Sequence, residues 1–407
     1  MRILVLSWRD PEHPFAGGAE TYVDEIGRRW VGAGHEVRWL CGRAAGQSRE
    51  LRRHGMEIRR QGKGYGVYPA SAWDFLRHHR GWADVIVDAE NGIPFFSPFY
   101  TKTPKVLLMH HVHREVFHRE LPPGVAHLGE FLEGRLMPWA YRRDWFVAVS
   151  EGTRSELVEL GVDDTRVAVI HNGLDAETYI PPATVPPAAL PAETGPTKAR
   201  PAKAPVALWV GRLRSYKTVS TLLDAARLCR PRYPELRWQV AGEGPERERL
   251  QRAVESMGLQ DIVEILGFVT TEEKVRLMQN ALLVVQTSMK EGWGMTVIEA
   301  NACGTAVVAS DVPGLRDSVR DGETGLLVPW ADPQALADGV LHLVDHPQLR
   351  ARFERNALSW ASRFRWQYTA DRWLNLLEAR QRGGSVPSEL RHCSLSSERE
   401  TIPQPAA

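Results

Sequence analysis

One stretch decides the fold of this chain: Met289–Gly304, which reads MKEGWGMTVIEANACG. It follows an apolar run, Leu282–Ser288, that has the composition of a buried strand. The pattern Val297–Cys303 then predicts a short helix, and Gly304 stands just past its end, where glycine is favoured. Strand, turn and helix in this order are typical of an α/β sheet, so the stretch predicts that fold class.

Two glutamates, Glu291 and Glu299, lie on this turn and in this helix with seven residues between them. Ligands of α/β proteins bind at the carboxyl edge of the sheet, and the free N–H groups of a helix start form an anion site there. A nucleotide sugar has the matching layout, because it carries hydroxyls on its sugar, a diphosphate in its middle and a diol on its ribose. The alternative is structural, since Thr296 and Glu299 also fit a capping box.

Composition indicates a soluble globular protein with more than one domain. The chain has 407 residues, 43% of them hydrophobic and 25% charged, so two domains are expected. The net charge of +1 predicts no attraction to nucleic acid. The four cysteines match neither zinc-ligand spacing nor a disulfide framework, and no apolar run has the length of a signal peptide or membrane span. These features predict a cytoplasmic enzyme.

The N-terminal part predicts a largely parallel sheet, because helical patterns separate most of its strands. The predicted strands are Arg2–Ser7, His35–Cys41, Met56–Arg60, Ala83–Ala89, Lys105–His110, Trp145–Ser150 and Arg166–His171, with a first helix at Glu20–Val31. The pair Gly17-Gly18 precedes that helix and would let a phosphate or sugar approach the backbone. A helix-start turn without a ligand is the alternative. The dinucleotide fingerprint G-x-G-x-x-G is absent here.

Three histidines, His110, His111 and His113, occur at the end of the fifth predicted strand. Neighbouring strand residues point to opposite faces, so His110 and His111 are not expected to share one zinc ion, and no metal site is predicted. Two alternatives to a metal site remain for this group. Either one of the histidines faces an interdomain cleft, or the histidines are ordinary loop residues. The apolar, proline-broken segment Glu90–Tyr100 either lines an acceptor pocket or packs under the sheet.

A Pro- and Ala-rich segment, residues 181–205, predicts a linker between two domains. A second alternation of strands and helices follows it and predicts a second doubly wound domain. Its predicted strands are Val206–Val210, Leu236–Ala241, Ile262–Phe268, Leu282–Thr287 and Thr305–Ser310, and the helices between them are Thr218–Leu228, Glu246–Met257 and Glu272–Gln279.

The loop after the first strand of this second domain carries Arg212 and Lys217. Two cations on such a loop would neutralise a diphosphate, and arginine can bind it bidentately. Solvated surface is the alternative for either residue. The second strand ends in the tight turn Gly242-Glu-Gly-Pro at the same edge of the sheet.

Taken together, Gly17-Gly18, Gly211-Arg212…Lys217, Gly242-Glu-Gly-Pro and Glu291-x7-Glu299 resemble the GT4 family of retaining glycosyltransferases, over roughly residues 1–380. The implied fold is GT-B, in which two Rossmann-like, doubly wound α/β domains face each other across a cleft. The implied organisation is an acceptor-side domain at 1–180, the linker at 181–205, a donor-binding domain at 206–363, a helix at 364–380 that crosses back to the first domain, and a disordered tail at 381–407.

The resemblance also implies residue roles. The implied catalytic residues are His110, Glu291, Arg212 and Lys217, and the implied donor-binding residues are Gly17, Gly18, Arg212, Lys217, Gly294, Met295, Thr296 and Glu299. In the family the first glutamate contacts the donor sugar and the second the ribose, the two cations hold the diphosphate, and amides between the glutamates face sugar and phosphate. Many members have proline where Thr296 stands. The family histidine lies six positions after a proline, and counting from Pro104 gives His110.

The implied reaction moves a sugar, with retention, from a UDP- or GDP-linked donor to a glycan, lipid-linked or small-molecule acceptor, without metal or cofactor. The absence of any Asp-x-Asp motif is in keeping with this. The expected partners are donor and acceptor, not nucleic acid. The 14 tryptophans and Arg135–Arg143 leave open a peripheral contact at the cytoplasmic face of a membrane, with a solvated basic helix as the alternative. A sugar-nucleotide epimerase and a non-catalytic partner subunit are the competing functions.

Overall fold

The computed structural model describes residues 1–182 and 203–392, and the chain forms two compact α/β units. The first unit contains Met1–Val112, Gly129–His171 and the chain from Thr369 onward, and the second contains His113–Leu128 and Asn172–Tyr368. Most of the predicted linker, residues 183–202, lies outside the described residues. The segment His113–Leu128 was expected in the first domain but packs with the second unit.

The first unit is built on an eight-stranded sheet in the order β3-β4-β2-β1-β5-β6-β7-β8. Its strands are β1 (Arg2–Ser7), β2 (Glu36–Cys41), β3 (Glu50–Arg53), β4 (Met56–Arg60), β5 (Val85–Glu90), β6 (Lys105–Met109), β7 (Trp145–Ala148) and β8 (Val167–Val169). Neighbouring strands are parallel except for the pair β3–β4. Strand β3 was not predicted, because it is a short, charged edge strand without a buried face.

The second unit is built on a parallel six-stranded sheet in the order β11-β10-β9-β12-β13-β14. Its strands are β9 (Ala204–Val210), β10 (Arg237–Ala241), β11 (Val263–Gly267), β12 (Ala281–Gln286), β13 (Val307–Ser310) and β14 (Gly325–Val328). The chain order reverses between β9 and β12, which are hydrogen-bonded neighbours. Ligands of such sheets bind outside the carboxyl ends of the strands at this switch point. The two predicted donor-site motifs follow these two strands.

Helices cover the two sheets. They are α1 (Gly18–Gly32), α2 (Val67–Asp74), α3 (Arg114–Glu120), α4 (Pro123–Phe131), α5 (Met137–Ala140), α6 (Glu151–Glu159), α7 (Val219–Cys229), α8 (Arg247–Ser256), α9 (Thr271–Asn280), α10 (Met295–Ala302), α11 (Leu315–Ser318), α12 (Pro333–Asp345), α13 (Pro347–Ala361), α14 (Trp366–Gln381) and α15 (Ser388–Arg391). None of the described helices is long and apolar enough to cross a bilayer.

The C-terminal helix α14 packs on the first unit from Thr369 onward. Trp373 is fully buried, and its indole Nε1 donates to the Tyr22 hydroxyl at 2.7 Å. Arg380 pairs with Asp144 at 2.8 Å. The prediction of a disordered tail from residue 381 is wrong for residues 382–392, because α15 forms there and buries Leu390. Residues 393–407 lie outside the described chain.

Candidate functional site

An ion pair joins the two loops at the switch point of the second sheet. Lys217 Nζ donates to Glu291 Oε1, and Ser288 Oγ donates to the same oxygen at 2.7 Å. Both ionic side chains are mostly covered, with 13% and 18% of their surface exposed. Burial lowers the pKa of Lys217, but the Glu291 carboxylate and the Tyr216 ring offset this, and the net pKa is raised. Lys217 therefore stays protonated at the place where a ligand would bind.

Arg212 supplies a second positive charge beside this pair. Its side chain is exposed and forms no ion pair with the residues that the structure describes. It is close enough to Lys217 to lower the pKa of that amine electrostatically. The structure thus brings together the two cations that the sequence singled out, and Arg212 is the one whose charge is not already paired with a carboxylate.

The turn after β10 fixes the loop that carries Arg212. Leu213 N–H donates to Glu243 O at 2.8 Å, and Gly211 N–H donates to Ala241 O at 3.0 Å. Gly242 has φ +148°, and a Cβ atom there would lie 1.8 Å from Gly211 O. The glycine predicted to form a tight turn is therefore required because two backbones touch.

Backbone strain occurs next to Lys217. Thr218 is β-branched, yet it has φ +43° and ψ 45°, in the left-handed region. Such a conformation costs on the order of 1–3 kcal/mol and persists only when its surroundings hold it. Here Thr218 Oγ1 donates to Thr287 O, Thr287 Oγ1 donates to Lys217 O at 2.8 Å, and Met289 N–H donates to Tyr216 O at 2.8 Å. These bonds hold Lys217 against the end of β12.

Helix α10 begins at Met295, two residues before the predicted start, and Gly294 is its N-cap. The capping-box alternative is wrong, because Thr296 lies inside the first turn and no side chain caps the helix. Met295 N–H donates to Trp293 O at 2.8 Å and is used within the turn. Gly294 and Thr296 are therefore the better candidates among the three predicted amides. The helix ends at Ala302, one residue before the predicted end, and Gly304 follows the C-cap Cys303 with φ +68°.

Glu299 projects from α10 and is 8% exposed. Its Oε1 accepts from Lys274 Nζ at 2.9 Å. Burial, and next the Glu299 carboxylate, raise the pKa of the Tyr179 hydroxyl. A carboxylate offers about four lone-pair sites, so Glu299 can still accept from a ribose diol. Lys274 and Tyr179 were not predicted, because nothing in the sequence relates them to Glu299.

In the first unit, His110 follows β6 directly and its ring meets Tyr22 edge to face at 5.4 Å. It lines a small pocket together with Glu20, Ala19, Asn91, Trp8 and others. The predicted strand ended one residue too late, at His110. The argument that strand alternation separates His110 from His111 is therefore wrong, since both residues lie in the loop after β6.

The Gly17-Gly18 pair forms the start of α1. Gly17 N–H donates to Glu20 Oε2 at 2.7 Å, so this amide is already used by the helix start. Space remains next to Gly18, where an added Cβ would meet nothing within 4 Å. Glu20 is buried and also accepts from Arg9 at 3.2 Å. The loop is thus held in place by Glu20, and Gly18 is its open position.

The segment Glu90–Tyr100 shows both of the predicted arrangements: Glu90 and Asn91 line the same pocket as His110, and Phe95 and Ser97 are buried in the first unit. Asp88 is fully buried, and its carboxylate accepts from Phe95 N–H at 3.0 Å and Ser97 Oγ at 2.8 Å. Burial raises the pKa of Asp88. In the second unit, the rings of His118 and His127 lie 5.0 Å apart, and these two histidines belong to a group of side chains that could hold a metal ion. The sequence did not single out this pair.

Solved structures place the fold among GT-B glycosyltransferases. A sucrose-phosphate synthase from Thermosynechococcus elongatus matches with a TM-score of 0.75 and 22% identity, over 93% of this chain and 98% of that one. Anabaena HepE in complex with UDP and glucose matches with a TM-score of 0.71 and 21% identity, over 93% and 100%. At these identities the likeness concerns the fold.

Two family models match the sequence. The model "Glycosyltransferase Family 4" matches residues 16–178, and "Glycosyl transferases group 1" matches residues 194–360. The chain belongs to the GT4 family of glycosyltransferases, as its motifs suggested.

Curated relatives carry glycosyltransferase names. D-inositol 3-phosphate glycosyltransferase 2 of Catenulispora acidiphila is 35% identical over 237 residues, which are 56% of this chain and 54% of the relative. Alpha-D-kanosaminyltransferase of Streptomyces kanamyceticus is 35% identical over 153 residues, 38% and 40% of the two chains. This chain spans about half the length of curated relatives such as this D-inositol 3-phosphate glycosyltransferase.

Proposed function

We propose that this protein transfers a sugar from a nucleotide-diphosphate sugar, UDP- or GDP-linked, to a glycan, lipid-linked or small-molecule acceptor. The observation that carries the proposal is the pair Lys217–Glu291 at the switch point of the second sheet, beside Arg212. Two cations match a diphosphate, and a carboxylate next to them matches the hydroxyls of the attached sugar. HepE, which shares the fold, binds UDP and glucose.

The reaction leaves negative charge on the departing diphosphate. Arg212 and Lys217 would stabilise that charge, which is electrostatic catalysis by preorganised groups. Glu291 would accept hydrogen bonds from the sugar and Glu299 from the ribose. The proposal includes retention of the anomeric configuration and independence of metal, because the two cations do the work of a metal ion and no Asp-x-Asp motif occurs to bind one.

His110, Gly17 and Gly18 belong to the proposed site on the first unit. The support for His110 is its position directly after β6, in a pocket lined also by Ala19 and Glu20. Peripheral contact with a membrane surface is part of the same proposal. It is supported by Phe99 and Trp139, aromatic side chains of the first unit that are 56% and 55% exposed.

A thermal-shift panel of nucleotide sugars tests the donor. A ligand that binds the folded protein raises its melting temperature by mass action, so the true donor should stand out from the panel. Lys217→Ala should abolish this shift and lower turnover by roughly 10²–10³-fold, as when one preorganised electrostatic group is lost. Arg249→Ala removes an exposed arginine of α8 and should change neither quantity. A Lys217→Ala variant with an unchanged shift and rate would contradict the proposal.

Three further experiments distinguish the alternatives. Transferase activity should survive EDTA. If EDTA abolished the activity and zinc restored it, metal independence would be overturned. NMR of the product should show the anomeric configuration of the donor. Conversion of the donor in the absence of any acceptor would indicate an epimerase instead, and donor binding without turnover under any acceptor would indicate a non-catalytic subunit.

A further inference from the structure

The edge of the first sheet has a second concave site, which the donor chemistry does not use. A pocket of ≈ 510 Å³ lies where β2 and β4 end, and five cationic residues line it: Arg43, Arg49, Arg59, Arg60 and Lys63. We propose that this basic pocket binds a phosphate ester, either a free one or the headgroup of an anionic lipid. The inference goes beyond the proposed function, because none of the residues that line this pocket belongs to the proposed transfer site.

Two of the five positive charges are already balanced. Arg60 is buried, and its guanidinium binds Asp10 at 2.7 Å and Glu12 at 2.7 Å. Arg59 lies between the two acidic residues of the lining, 3.4 Å from Glu50 and 3.3 Å from Asp74. These pairs hold the wall of the basic pocket in shape and leave little charge for a ligand.

The other three positive charges are uncompensated. Arg43, Arg49 and Lys63 form no ion pair with any residue in 1–182 or 203–392. Like charges in one concavity repel each other and raise the local potential, which draws in anions. A ligand with two or more negatively charged oxygens would neutralise several of these cations at once and so relieve the repulsion. Phosphate is the common biological group of this kind, and guanidinium groups bind it bidentately.

The loops that carry these cations are held to each other by backbone bonds. Arg43 N–H donates to Gly62 O at 3.2 Å, and Arg60 N–H donates to Arg49 O at 2.8 Å. Gly62 has φ +66°, and a Cβ atom there would lie 2.5 Å from the Gly66 carbonyl and from Val67 N. The pocket is therefore built before a ligand arrives, so less of the binding free energy is spent on ordering it.

The volume and lining fit a small ligand. Pockets for small molecules usually enclose about 300–1,000 Å³, and the basic pocket lies within this range. Gln61, whose side-chain amide lies 3.4 Å from Ser71 Oγ, adds a polar group to the lining. A phosphate with a small hydroxylated carrier is the class of ligand that uses both the charges and the polar wall.

The test measures binding of glycerol 3-phosphate by calorimetry and of phosphatidylglycerol vesicles by co-sedimentation, with phosphatidylcholine vesicles as the neutral reference. The full chain carries Arg212→Ala and Lys217→Ala throughout, so that the two cations of the donor loop do not contribute. Arg43→Ala/Lys63→Ala should weaken binding by roughly tenfold or more, because hydrogen bonds between charged groups are stronger than neutral ones and the double variant removes two cations. Arg52→Ala removes an exposed cation of the adjacent β3 outside the pocket and is the matched control.

Each outcome decides the matter. Loss of glycerol 3-phosphate binding in the double variant supports a free phosphate ester, and loss confined to phosphatidylglycerol vesicles supports a lipid headgroup. Affinity that falls equally in Arg52→Ala, affinity that is unchanged in the double variant, or no binding of either probe to the parent would overturn the basic pocket as a site. None of these outcomes depends on sugar transfer, so failure here and failure of the proposed function are separable.

Discussion

The sequence predicts that Glu291 and Glu299 both belong to the donor site, but their side chains lie in different surroundings. The Glu291 carboxylate is bonded to Lys217 and Ser288, on the loops that follow β9 and β12. The Glu299 carboxylate is bonded to Lys274 of α9. A diphosphate that binds here could take Lys217 away from Glu291, because the Lys217 amine would then pair with the phosphate. The Glu291 carboxylate would become available to another hydrogen-bond donor. Glu299 belongs to a buried pair that a ribose would join.

This difference gives a prediction for two alanine variants. Glu299→Ala should weaken nucleoside-diphosphate affinity more than Glu291→Ala does, because it removes the contacts proposed for the ribose. Glu291→Ala should lower kcat more, since its proposed partner is the sugar being transferred. Titration calorimetry and steady-state kinetics separate the two effects, and Glu248→Ala, an exposed glutamate of α8, is the control. A lower Tm of Glu299→Ala with intact affinity would leave Glu299 only its structural role beside Lys274.

The two adjacent histidines give a matched pair of variants. His110 lines the pocket that also contains Glu20, so His110→Ala should reduce transfer strongly. Nucleoside-diphosphate affinity should stay nearly intact, because the cations and glutamates proposed to bind the nucleoside diphosphate lie in the second unit. His111→Ala should be the milder change. The reverse order of the two rates would move the catalytic histidine by one position and leave the donor site as it is.

At the scale of elements, periodicity predicted the strands whose apolar residues are continuous or alternate, and missed two four-residue strands at sheet edges. β1 and β4 were predicted with their observed bounds because their apolar residues are continuous or alternate cleanly. β3 and β14 were missed because each has only four residues: β3 has no buried residue, and β14 buries only Gly325 and Val328. When a segment forms a strand only because it pairs with neighbouring strands, its own residues show no pattern from which the strand can be predicted.

The candidate site divides in the same way. Arg212, Lys217, Glu291 and Glu299 could be found because their spacing within one loop or turn is local. Lys274 and the strained backbone at Thr218 could not, since they depend on contacts between distant elements. The same holds for α3, where Glu120 accepts from Ser215 Oγ at 2.7 Å and pairs with Arg214 at 3.3 Å. These contacts place the His113–Leu128 segment in the second unit, against the loop of Lys217.

The turn after β10 gives a prediction for an element. Gly242→Ala would drive a Cβ atom into Gly211 O, and so displace the loop that carries Arg212. We expect a lower Tm together with weaker nucleoside-diphosphate binding. Gly258→Ala is the matched control, because Gly258 has φ +62° but open space around it, so this variant bears the strain of a positive φ without the clash. Equal losses of affinity in the two variants would show that the contact with Gly211 does not position the loop.

At the scale of the whole molecule, the chain does not form its units in simple order. The first unit takes its last helix from the C-terminal end of the chain, and the second unit takes α3 from the N-terminal half. Composition predicted two domains, and spacing predicted their sheets. Which unit a segment joins is decided by tertiary packing, as with Trp373 against Trp30, whose rings lie 6.0 Å apart.

This packing makes the stability of the first unit depend on the last helix. Trp373 is fully buried and bonded to Tyr22, whose hydroxyl donates to Ile170 O at 3.1 Å. Trp373→Ala should lower the free energy of unfolding by about 3–5 kcal/mol, the usual cost of deleting a buried aromatic side chain. Tyr368→Ala changes an aromatic of the same helix that is 47% exposed, and should cost much less. Urea unfolding measures both values. Nucleoside-diphosphate affinity, measured below the transition, should stay unchanged in Trp373→Ala, because the donor motifs belong to the second unit. A stability cost equal to that of Tyr368→Ala would show that α14 is not part of the core of the first unit.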